Sequence, residues 1–361
     1  MSRALRTPVR PEMAEVPAYV TSTKDAPVRL DRNESPEEMP ARLREQVLAR
    51  LASSKWSRYP DPYASELKEA LAKREGLPAE HVIVGDGSNS LFLSFFLASG
   101  APGRRIALCP PTFGLYASWA RAAGAAVESF PLDEEDLSPS VERMLSEARR
   151  DPDLLFVLCS PNNPTGTLFP RDGLTRLLET GAFVLMDEAY IEFSEGDGRP
   201  GGASVKDLLR RFPNLLISRT LSKAAALAGV RVGYMLGDPT LLREVEKVVP
   251  PFSVNLFARA AALAALSDAK VTAARISTIL SERDRMARAL SANPGGRISE
   301  SHANFLYLRP ERPAEALLEA LWKRGVLVRK VAGTKAPALR VTVGRPEEND
   351  LFLTAWREVI A

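Results

Sequence analysis

The sequence predicts an α/β protein with a large domain, built on a mostly parallel sheet between helices, and a smaller α+β domain. Short apolar runs alternate with helical patterns from residue 82 to residue 236, which is the order of successive βαβ units. A proline pair at 250–251 ends this alternation, and a long helical pattern and three strand-like runs follow. At 361 residues the chain is also long for a single core, so two domains are expected.

In chain order the pattern has four segments: an arm that joins the small domain (1–40), the large domain (41–250), a linking helix (251–290) and the small domain (291–361). Within the large domain an amphipathic helix is expected over residues 65–75, with Ser65 as its N-cap.

The composition excludes several classes of protein. The 48 basic and 45 acidic residues are interspersed, so no nucleic-acid partner is expected. No apolar stretch reaches transmembrane length, and the basic N-terminus lacks the apolar region of a signal peptide, which predicts a cytoplasmic protein with no membrane partner. Cys109 and Cys159 each end an apolar run and are expected to be reduced core thiols, and no Cys/His spacing indicates a metal.

The chemistry centres on Lys223, which ends the run Thr220-Leu221-Ser222-Lys223 after a strand-like segment. Arg231 lies eight residues on, and the small residues between them leave room for a flat ligand. A lysine so placed forms a Schiff base with an aldehyde cofactor, while hydroxyls and an arginine hold a phosphate. The combination favours pyridoxal phosphate (PLP), although a lone Ser-Lys pair is more often a surface lysine in a loop.

Two polar side chains follow an apolar run upstream. Residues 182–186 have the pattern of a buried strand that ends in Asp187, with Tyr190 three residues on. Ligands of open α/β sheets gather at the carboxyl ends of strands. A carboxylate there pairs with the protonated pyridine nitrogen of PLP and keeps the ring electron-poor, and Tyr190 is a candidate donor to the ring's 3-oxygen. The alternatives for Asp187 are a helix cap and a surface ion pair.

Asn163 lies in an irregular turn, residues 160–166, after another buried-strand pattern over residues 154–159. Its side-chain amide is a second candidate donor to the cofactor's 3-oxygen. The alternative is a purely structural turn, because Asn-Pro is ordinary turn chemistry.

Two weaker signals come earlier in the chain. A glycine turn, residues 85–89, follows a short β-branched run and opens a helical pattern, and such a turn presents backbone N–H groups to a phosphate. Phe113 is a candidate to stack on the cofactor ring, although core packing is the commoner role of a lone phenylalanine. Together, the phosphate turn, the aromatic residue, the Asn–Asp–Tyr set and the lysine predict a PLP site.

With these motifs the chain resembles the fold type I PLP enzymes, and within them the histidinol-phosphate aminotransferases. The lysine run and Asp187-Glu188-Ala189-Tyr190 are specific for the superfamily. Arg58-Tyr59-Pro60-Asp61-Pro62 and Tyr190-Ile191-Glu192-Phe193 narrow the resemblance to the histidinol-phosphate branch. The other segments that share it are residues 30–36, 160–166, 220–231 and 339–344.

The resemblance implies a role for each residue around the cofactor. Lys223, Asp187 and Tyr190 are the catalytic set, in which Lys223 forms the Schiff base and moves the substrate proton. Asp187 pairs with the ring nitrogen, and Asn163 and Tyr190 bind the 3-oxygen. Phe113 stacks on the ring, where the family usually has tyrosine. The residues that hold the cofactor phosphate are Ser88, Asn89, Thr220, Ser222 and Arg231, with Tyr59 from a second subunit.

The resemblance also implies a substrate site and a homodimer. Arg340 clamps the substrate carboxylate, which suits a bidentate guanidinium. Tyr19 and Arg329 match positions that, in the family, bind the substrate's own phosphate. Asn33 is also expected to bind substrate. Tyr59 reaches the partner's cofactor, so that each active site is shared between two chains.

The implied reaction is a ping-pong transamination of histidine biosynthesis, which interconverts L-histidinol phosphate and 2-oxoglutarate with imidazole-acetol phosphate and L-glutamate. An aromatic amino-acid aminotransferase and a threonine-phosphate decarboxylase-like enzyme have the same fold and remain alternatives. Two departures from the family pattern leave the substrate open. Ala224-Ala225-Ala226 stands where the family commonly carries a Phe and a Gly, and Gly87-Ser88-Asn89-Ser90 replaces Gly-Ala-Asp-Glu.

Two non-enzymatic roles fit the sequence less well. A PLP-binding regulator carries a DNA-binding module ahead of its aminotransferase-like domain, and only about 30 residues precede the motif around Asn33. A scaffold without chemistry is disfavoured because the lysine, the aspartate and both phosphate- and carboxylate-binding arginines are all retained.

Overall fold

The computed structural model describes residues 9–10, 13–14, 16–19, 23–194, 203–292 and 295–360. Its strands form one seven-stranded and one five-stranded sheet. Within this described part of the chain, no helix is both long enough and apolar enough to cross a membrane. The α/β class and the mostly parallel large sheet predicted from the sequence are confirmed.

The seven-stranded sheet has the order β2-β8-β7-β6-β5-β3-β4. Its strands are β2 (Val82–Gly85), β3 (Arg105–Leu108), β4 (Ala126–Ser129), β5 (Leu155–Cys159), β6 (Phe183–Asp187), β7 (Leu215–Thr220) and β8 (Gly233–Gly237). β8 runs antiparallel to both of its neighbours, and the other pairings are parallel. β5 and β7 are buried along their whole length, as expected for strands covered on both faces.

The five-stranded sheet has the order β1-β11-β12-β10-β9. Its strands are β1 (Val28–Leu30), β9 (Gly296–Ile298), β10 (Phe305–Pro310), β11 (Val326–Lys330) and β12 (Leu339–Thr342). β1 pairs in parallel with β11, so the N-terminal arm contributes an edge strand to the sheet of the C-terminal residues. After β1 the chain passes beside β12, where the Asn33 N–H donates to the Thr342 hydroxyl and Arg340 donates to the Asp31 carbonyl oxygen.

The helices are α1 (Ala41–Ala52), α2 (Ser65–Glu75), α3 (Ser88–Ser99), α4 (Leu115–Ala122), α5 (Val141–Arg150), α6 (Arg171–Glu179), α7 (Pro239–Glu246), α8 (Leu256–Ser267), α9 (Ala269–Ser291), α10 (Ala314–Trp322) and α11 (Pro346–Ile360). Side chains of α1, α2, α5, α6 and α8 share one core with the large sheet, and those of α3, α4 and α7 share the core on its other face. A third core joins the five-stranded sheet to α9, α10 and α11 and also includes Ala189, Tyr190 and Ala224. The loops that carry the predicted site residues are therefore held between the two sheets.

Two helix boundaries differ from the sequence prediction. Ser65 starts α2 rather than capping it: Ala64 takes the cap position with φ +50°, and the Asp61 carboxylate accepts a hydrogen bond from the Ser65 N–H at 2.5 Å. The linking helix expected over residues 251–290 is two helices, α8 and α9. They separate at Asp268, whose carboxylate accepts from the Lys270 N–H at 3.1 Å and starts a new helix.

Candidate active site

A cavity of about 400 Å³ opens where the loops after β5, β6 and β7 face the five-stranded sheet. The predicted site residues on its wall are Tyr19, Ser88, Asn89, Phe113, Asn163, Asp187, Tyr190, Thr220, Ser222, Lys223, Arg231, Arg329 and Arg340. Two predicted residues, Asn33 and Tyr59, lie elsewhere. Residues that are up to 321 positions apart in sequence (Tyr19 and Arg340) thus meet around one space.

Lys223 reaches this cavity from the loop after β7. Its Nζ donates to the Arg32 carbonyl oxygen at 3.1 Å and lies 5.8 Å from the centroid of the Tyr190 ring. Burial, and next the positive charge of Arg340, lower the pKa of Lys223 to about 8. The amine is therefore partly unprotonated near neutral pH, as a nucleophile or a proton acceptor requires.

Asp187 is the last residue of β6, and only 6% of it is exposed. Burial raises its pKa to about 6, while hydrogen bonds from the Tyr116 hydroxyl and the Ala189 N–H act to lower the pKa. The Ala189 N–H donates to Oδ1 at 3.0 Å, and Tyr116 donates to Oδ2. A carboxylate that is buried and still ionised at neutral pH is suited to pair with a cationic nitrogen of a ligand.

Tyr190 is held in place by Asn33, which reaches it from beyond β1. The Asn33 Nδ2 donates to the Tyr190 hydroxyl at 3.0 Å. Asn33 is itself fixed on β12, because its N–H donates to the Thr342 hydroxyl at 2.9 Å and that hydroxyl donates to Asn33 Oδ1 at 3.1 Å. Asn33, expected to bind substrate, is buried next to Tyr190, and both atoms of its amide are hydrogen-bonded. These bonds fix the Tyr190 hydroxyl relative to β12.

Arg340 connects the small sheet to the turn of Asn163. Its Nη1 donates to Asn163 Oδ1 at 2.6 Å, and its Nη2 donates to the Asp31 carbonyl oxygen at 2.7 Å. The bond uses the amide oxygen of Asn163, so the amide nitrogen remains as a donor. Arg340 faces Arg329 directly in the register of β11 and β12, and the Arg329 guanidinium lies 5.7 Å from the Tyr19 ring centroid. Two cations thus stand side by side on one wall.

The glycine turn before α3 is packed tightly against Arg231 and β8. Gly87 has φ +95°, and a Cβ there would lie 2.4 Å from Arg231 Nη2. A Cβ on Gly233 would lie 2.2 Å from the Ser88 nitrogen. Side-chain-free residues therefore bring the first N–H groups of α3 and the Arg231 guanidinium to the same place, which is an anion site suited to phosphate.

The hydroxyls of Thr220 and Ser222 stand beside this anion site. The Ser222 N–H donates to Thr220 Oγ1 at 3.0 Å, and the Thr220 hydroxyl donates to Ser222 Oγ at 2.9 Å. Arg231 Nη1 lies 3.4 Å from Ser222 Oγ and donates to the Ala228 carbonyl oxygen at 2.9 Å. These hydrogen bonds within the loop fix the two hydroxyls and the Arg231 guanidinium relative to one another.

Phe113 and Tyr59 are the two predicted aromatic contacts of the cofactor, and they lie in different places. Phe113 is on the cavity wall and meets Tyr116 edge-on, with 5.3 Å between ring centroids. Tyr59 is 83% exposed and stacks on Phe252 at 4.8 Å, away from the cavity of its own chain. Tyr59 therefore has no part in the site that this single chain encloses.

Sequence reasoning missed several residues of the site. Tyr116 lies behind Asp187, Glu34 and Arg32 are on the cavity wall, and Thr342 fixes Asn33. Tyr116 lies three residues after Phe113 on a helix that follows a predicted strand, which is the one sequence signal it gives. The others depend on the parallel pairing of β1 with β11, which the sequence does not show.

A buried ionic cluster lies next to the site residues of β6 and β7. Arg219 contacts Glu75 at 3.0 Å and Glu188 at 2.7 Å, and all three side chains are almost fully buried. The Tyr234 hydroxyl donates to Glu75 at 2.7 Å. Successive residues of a strand point to opposite faces, so Arg219 turns away from the cavity that its neighbour Thr220 lines, and Glu188 contacts it on that side.

The residues around the cavity fit PLP. The tight turn at Gly87 and Gly233 with Arg231 fits the phosphate, Asp187 fits the ring nitrogen, and Lys223 has a pKa suited to attack on an aldehyde. The arginine pair on the opposite wall fits an anionic second ligand.

Known proteins are similar to this chain over nearly its whole length. The family model described as aminotransferase class I and II matches residues 26–355. A histidinol-phosphate aminotransferase of Desulfitobacterium hafniense is 37% identical over 359 residues, which cover 98% of this chain and 97% of that protein.

Solved structures match the fold. The histidinol-phosphate aminotransferase of Sinorhizobium meliloti, in complex with pyridoxal-5′-phosphate, matches with a TM-score of 0.88 at 22% identity, over 99% of this chain and 98% of that one. The L-threonine-O-3-phosphate decarboxylase of Porphyromonas gingivalis matches with a TM-score of 0.77 at 24% identity, over 92% of this chain and 99% of that one. At these identities the two structures show a shared fold.

Proposed function

The chain belongs to the class I and II aminotransferases, which are PLP-dependent enzymes, and we propose that it transfers the amino group of L-histidinol phosphate to 2-oxoglutarate. The observation that carries the choice of substrate is the pairing of Arg329 with Arg340 across β11 and β12. Like charges directly opposite on a sheet repel each other, so the pair favours a strongly anionic ligand. A substrate phosphate meets this condition better than the side chain of an aromatic amino acid.

The same arginines serve both half-reactions of the proposed cycle. The phosphate of histidinol phosphate and the two carboxylates of 2-oxoglutarate are bound in turn at one wall. The curated relative's name, histidinol-phosphate aminotransferase, supports this assignment. The threonine-phosphate decarboxylase with the same fold also takes a phosphorylated substrate, so the reaction type needs its own test.

The protein groups have separate tasks in the proposed reaction. PLP supplies an electrophilic aldehyde and an electron-withdrawing ring when it is bound. Lys223 Nζ would be the nucleophile toward that aldehyde and would also accept the substrate Cα proton. Ionised Asp187 would hold the ring nitrogen, and Tyr190 and Asn163 would donate to the 3-oxygen. The cofactor phosphate would be held by Ser88, Asn89, Thr220, Ser222 and Arg231.

Arg329→Ala tests the substrate assignment, with Lys330→Ala as its matched control. Lys330 is the next residue of β11, carries the same charge and ion-pairs with Glu315 away from the cavity. A hydrogen bond to a charged group contributes about 1.5–3 kcal/mol, so Arg329→Ala should lower kcat/KM for L-histidinol phosphate by about 10–100-fold. For L-phenylalanine the loss should stay under about 5-fold, and Lys330→Ala should change neither value.

If Arg329→Ala lowered kcat/KM equally for the two substrates, the result would count against binding of the substrate phosphate by Arg329. Release of CO₂ from L-threonine phosphate by the wild-type enzyme, without amino transfer, would replace the proposed reaction with a decarboxylation.

We also propose a homodimer with shared active sites. Tyr59, Phe252, Trp56 and Phe257 form an exposed aromatic surface, in which Trp56 is 77% and Tyr59 83% exposed. Contiguous exposed aromatic surface marks an interaction site. A second copy of this chain is the occupant supported by the family resemblance, which gives Tyr59 a role at the partner's phosphate site.

Mixing an inactive variant with one that is expected to retain PLP poorly tests the shared site. Lys223→Ala and Tyr59→Phe subunits, mixed after partial unfolding and refolding together, should regain activity, because one hybrid site then carries both native residues. Sedimentation at micromolar concentration should give twice the mass of the 39.4 kDa chain. A monomer that is fully active would contradict the shared site.

We propose that the enzyme works in the cytoplasm. Cys109 and Cys159 are both free and buried, as is usual where thiols stay reduced.

A further inference from the structure

Tyr116 is a buried tyrosine whose hydroxyl has no role in the reaction proposed above. It lies on α4, is fully buried, and its hydroxyl donates to Asp187 Oδ2. The other carboxylate oxygen, Oδ1, accepts from the Ala189 N–H at 3.0 Å. Asp187 is thus held at both oxygens, once by its own loop and once by a side chain from a different element.

The ring of Tyr116 is fixed by packing that does not depend on a ligand. Phe113 meets it edge-on at 5.3 Å, and Phe92 lies 5.1 Å from it at an angle of 44°. Phenylalanine would fill the same space, so shape alone does not require tyrosine here. What the tyrosine adds is the single hydroxyl that points to Asp187.

Toward Asp187 the hydroxyl acts as a donor. Burial, and next the charge of Asp187, raise the pKa of Tyr116 well above its ordinary value, so the phenol stays protonated. A donor to an ionised carboxylate favours the ionised form, and burial of Asp187 favours the neutral form. The other titratable groups that act on Asp187 are Lys223, Glu188, Cys159 and Tyr190.

We propose that Tyr116 is a positioning residue that keeps Asp187 ionised and fixes its carboxylate toward the cofactor cavity. The inference rests on the proposed function, because the Asp187 carboxylate is held in place to pair with the ring nitrogen of PLP. Its direct consequence, a shift in the titration of Asp187, is a property of the protein alone and is measured without substrate.

Tyr116→Phe tests this, with Tyr234→Phe as the matched control. Tyr234 is also fully buried and donates its phenol to a buried carboxylate, but to that of Glu75. The pKa of Asp187 is read by NMR in the apo-protein labelled with ¹³C at aspartate carboxyls, with Asp187→Asn used for assignment. Removal of the donor should raise that pKa by about 1 unit, a tenfold change in the protonation constant, in Tyr116→Phe only.

A second replacement reverses the sign of the expected shift. 3-Fluorotyrosine at position 116 keeps the ring and makes the phenol a stronger donor, so the Asp187 pKa should fall below that of the wild type. This variant keeps the test valid if Tyr116→Phe does not fold. The affinity of the apo-protein for PLP should follow the same order, strongest with fluorotyrosine and weakest with phenylalanine.

An Asp187 pKa that is unchanged in Tyr116→Phe, or that moves equally in Tyr234→Phe, overturns the proposal. A failure of L-histidinol phosphate to react would overturn the proposed function and leave these pKa shifts as they are, so the two failures are separable.

Discussion

Gly233 lies on β8 against the turn that opens α3, and its replacement by alanine isolates the contribution of that turn to PLP binding. A Cβ at position 233 would lie 2.2 Å from the Ser88 nitrogen and 2.6 Å from the Gly87 carbonyl carbon. Both atoms belong to the backbone, so the turn must shift by about 1 Å to restore an ordinary contact.

This backbone shift moves the first N–H groups of α3 away from the proposed phosphate position. A hydrogen bond to a charged group contributes about 1.5–3 kcal/mol, so the loss of one such bond should weaken PLP binding by about 10–100-fold. Overpacking should also lower the free energy of unfolding by about 1–3 kcal/mol.

The assay is a fluorescence titration of the apo-protein with PLP, with Gly237→Ala as the control. Gly237 lies on the same strand, and its Cβ would also meet an atom at 2.2 Å, but this atom is Cδ2 of Leu216, at the end of a side chain that can move. Both variants should lose stability, and only Gly233→Ala should lose PLP affinity. Equal PLP affinities in the two variants would show that the turn before α3 does not contribute to PLP binding.

Four further predictions concern single side chains. Lys223→Ala should abolish turnover and still bind PLP through its phosphate, and any remaining turnover would contradict the role of the lysine. Arg340→Lys should raise KM for 2-oxoglutarate, because lysine lacks the forked guanidinium by which Arg340 contacts both Asn163 and Asp31. An unchanged KM would contradict a role of Arg340 in binding the keto acid. Arg219→Met should lower the free energy of unfolding by about 3–5 kcal/mol in urea, because it leaves two buried glutamates without their shared cation, and a loss below about 1 kcal/mol would contradict this. Asp187→Asn should stabilise the apo-protein at pH 8 by about 1–2 kcal/mol while abolishing activity, and a less stable variant would contradict the burial cost of the carboxylate.

The last prediction follows from the sign of the Asp187 shift. Its pKa is raised from 3.8 to about 6 in the folded protein, so ionised Asp187 costs up to about 3 kcal/mol above pH 6. Because the folded state binds the proton more tightly, this cost falls as the pH drops from about 6 to 3.8. Asparagine removes the cost of burying a charge but also loses part of the hydrogen bonding of the carboxylate. The net stabilisation expected for Asp187→Asn is therefore smaller than the full cost. As the pH drops through this window, the urea midpoint of the wild type should rise relative to that of Asp187→Asn.

The fold class and the family were predictable because local patterns specify them. The sequence pattern of buried strands that end in polar residues predicted that Asp187, Asn163 and Thr220 would lie at one edge of the large sheet, and they line one cavity there. The family resemblance and the cofactor were confirmed by the family model and by a relative of 37% identity. The roles of individual residues stay predictions, although thirteen of the fifteen predicted residues line one cavity.

The contacts between distant segments were not predictable. Tyr116 meets Asp187 across 71 positions, and Asn33 meets Tyr190 across 157. Neither pair has a local pattern, because each depends on how the helix or arm packs against the sheet. The bonds of Asn33 to Thr342, which direct its amide nitrogen toward Tyr190, are equally long-range, and its expected contact with substrate stays a prediction.

In the proposed reaction this cavity carries out both halves of a transamination on a phosphorylated substrate. The visible absorbance of the PLP-loaded enzyme on addition of L-histidinol phosphate, without any keto acid, tests this directly. We expect stoichiometric bleaching of the band of the protein-bound cofactor, and its recovery on addition of 2-oxoglutarate. A band that persists with histidinol phosphate and bleaches with L-phenylalanine would contradict the proposed reaction.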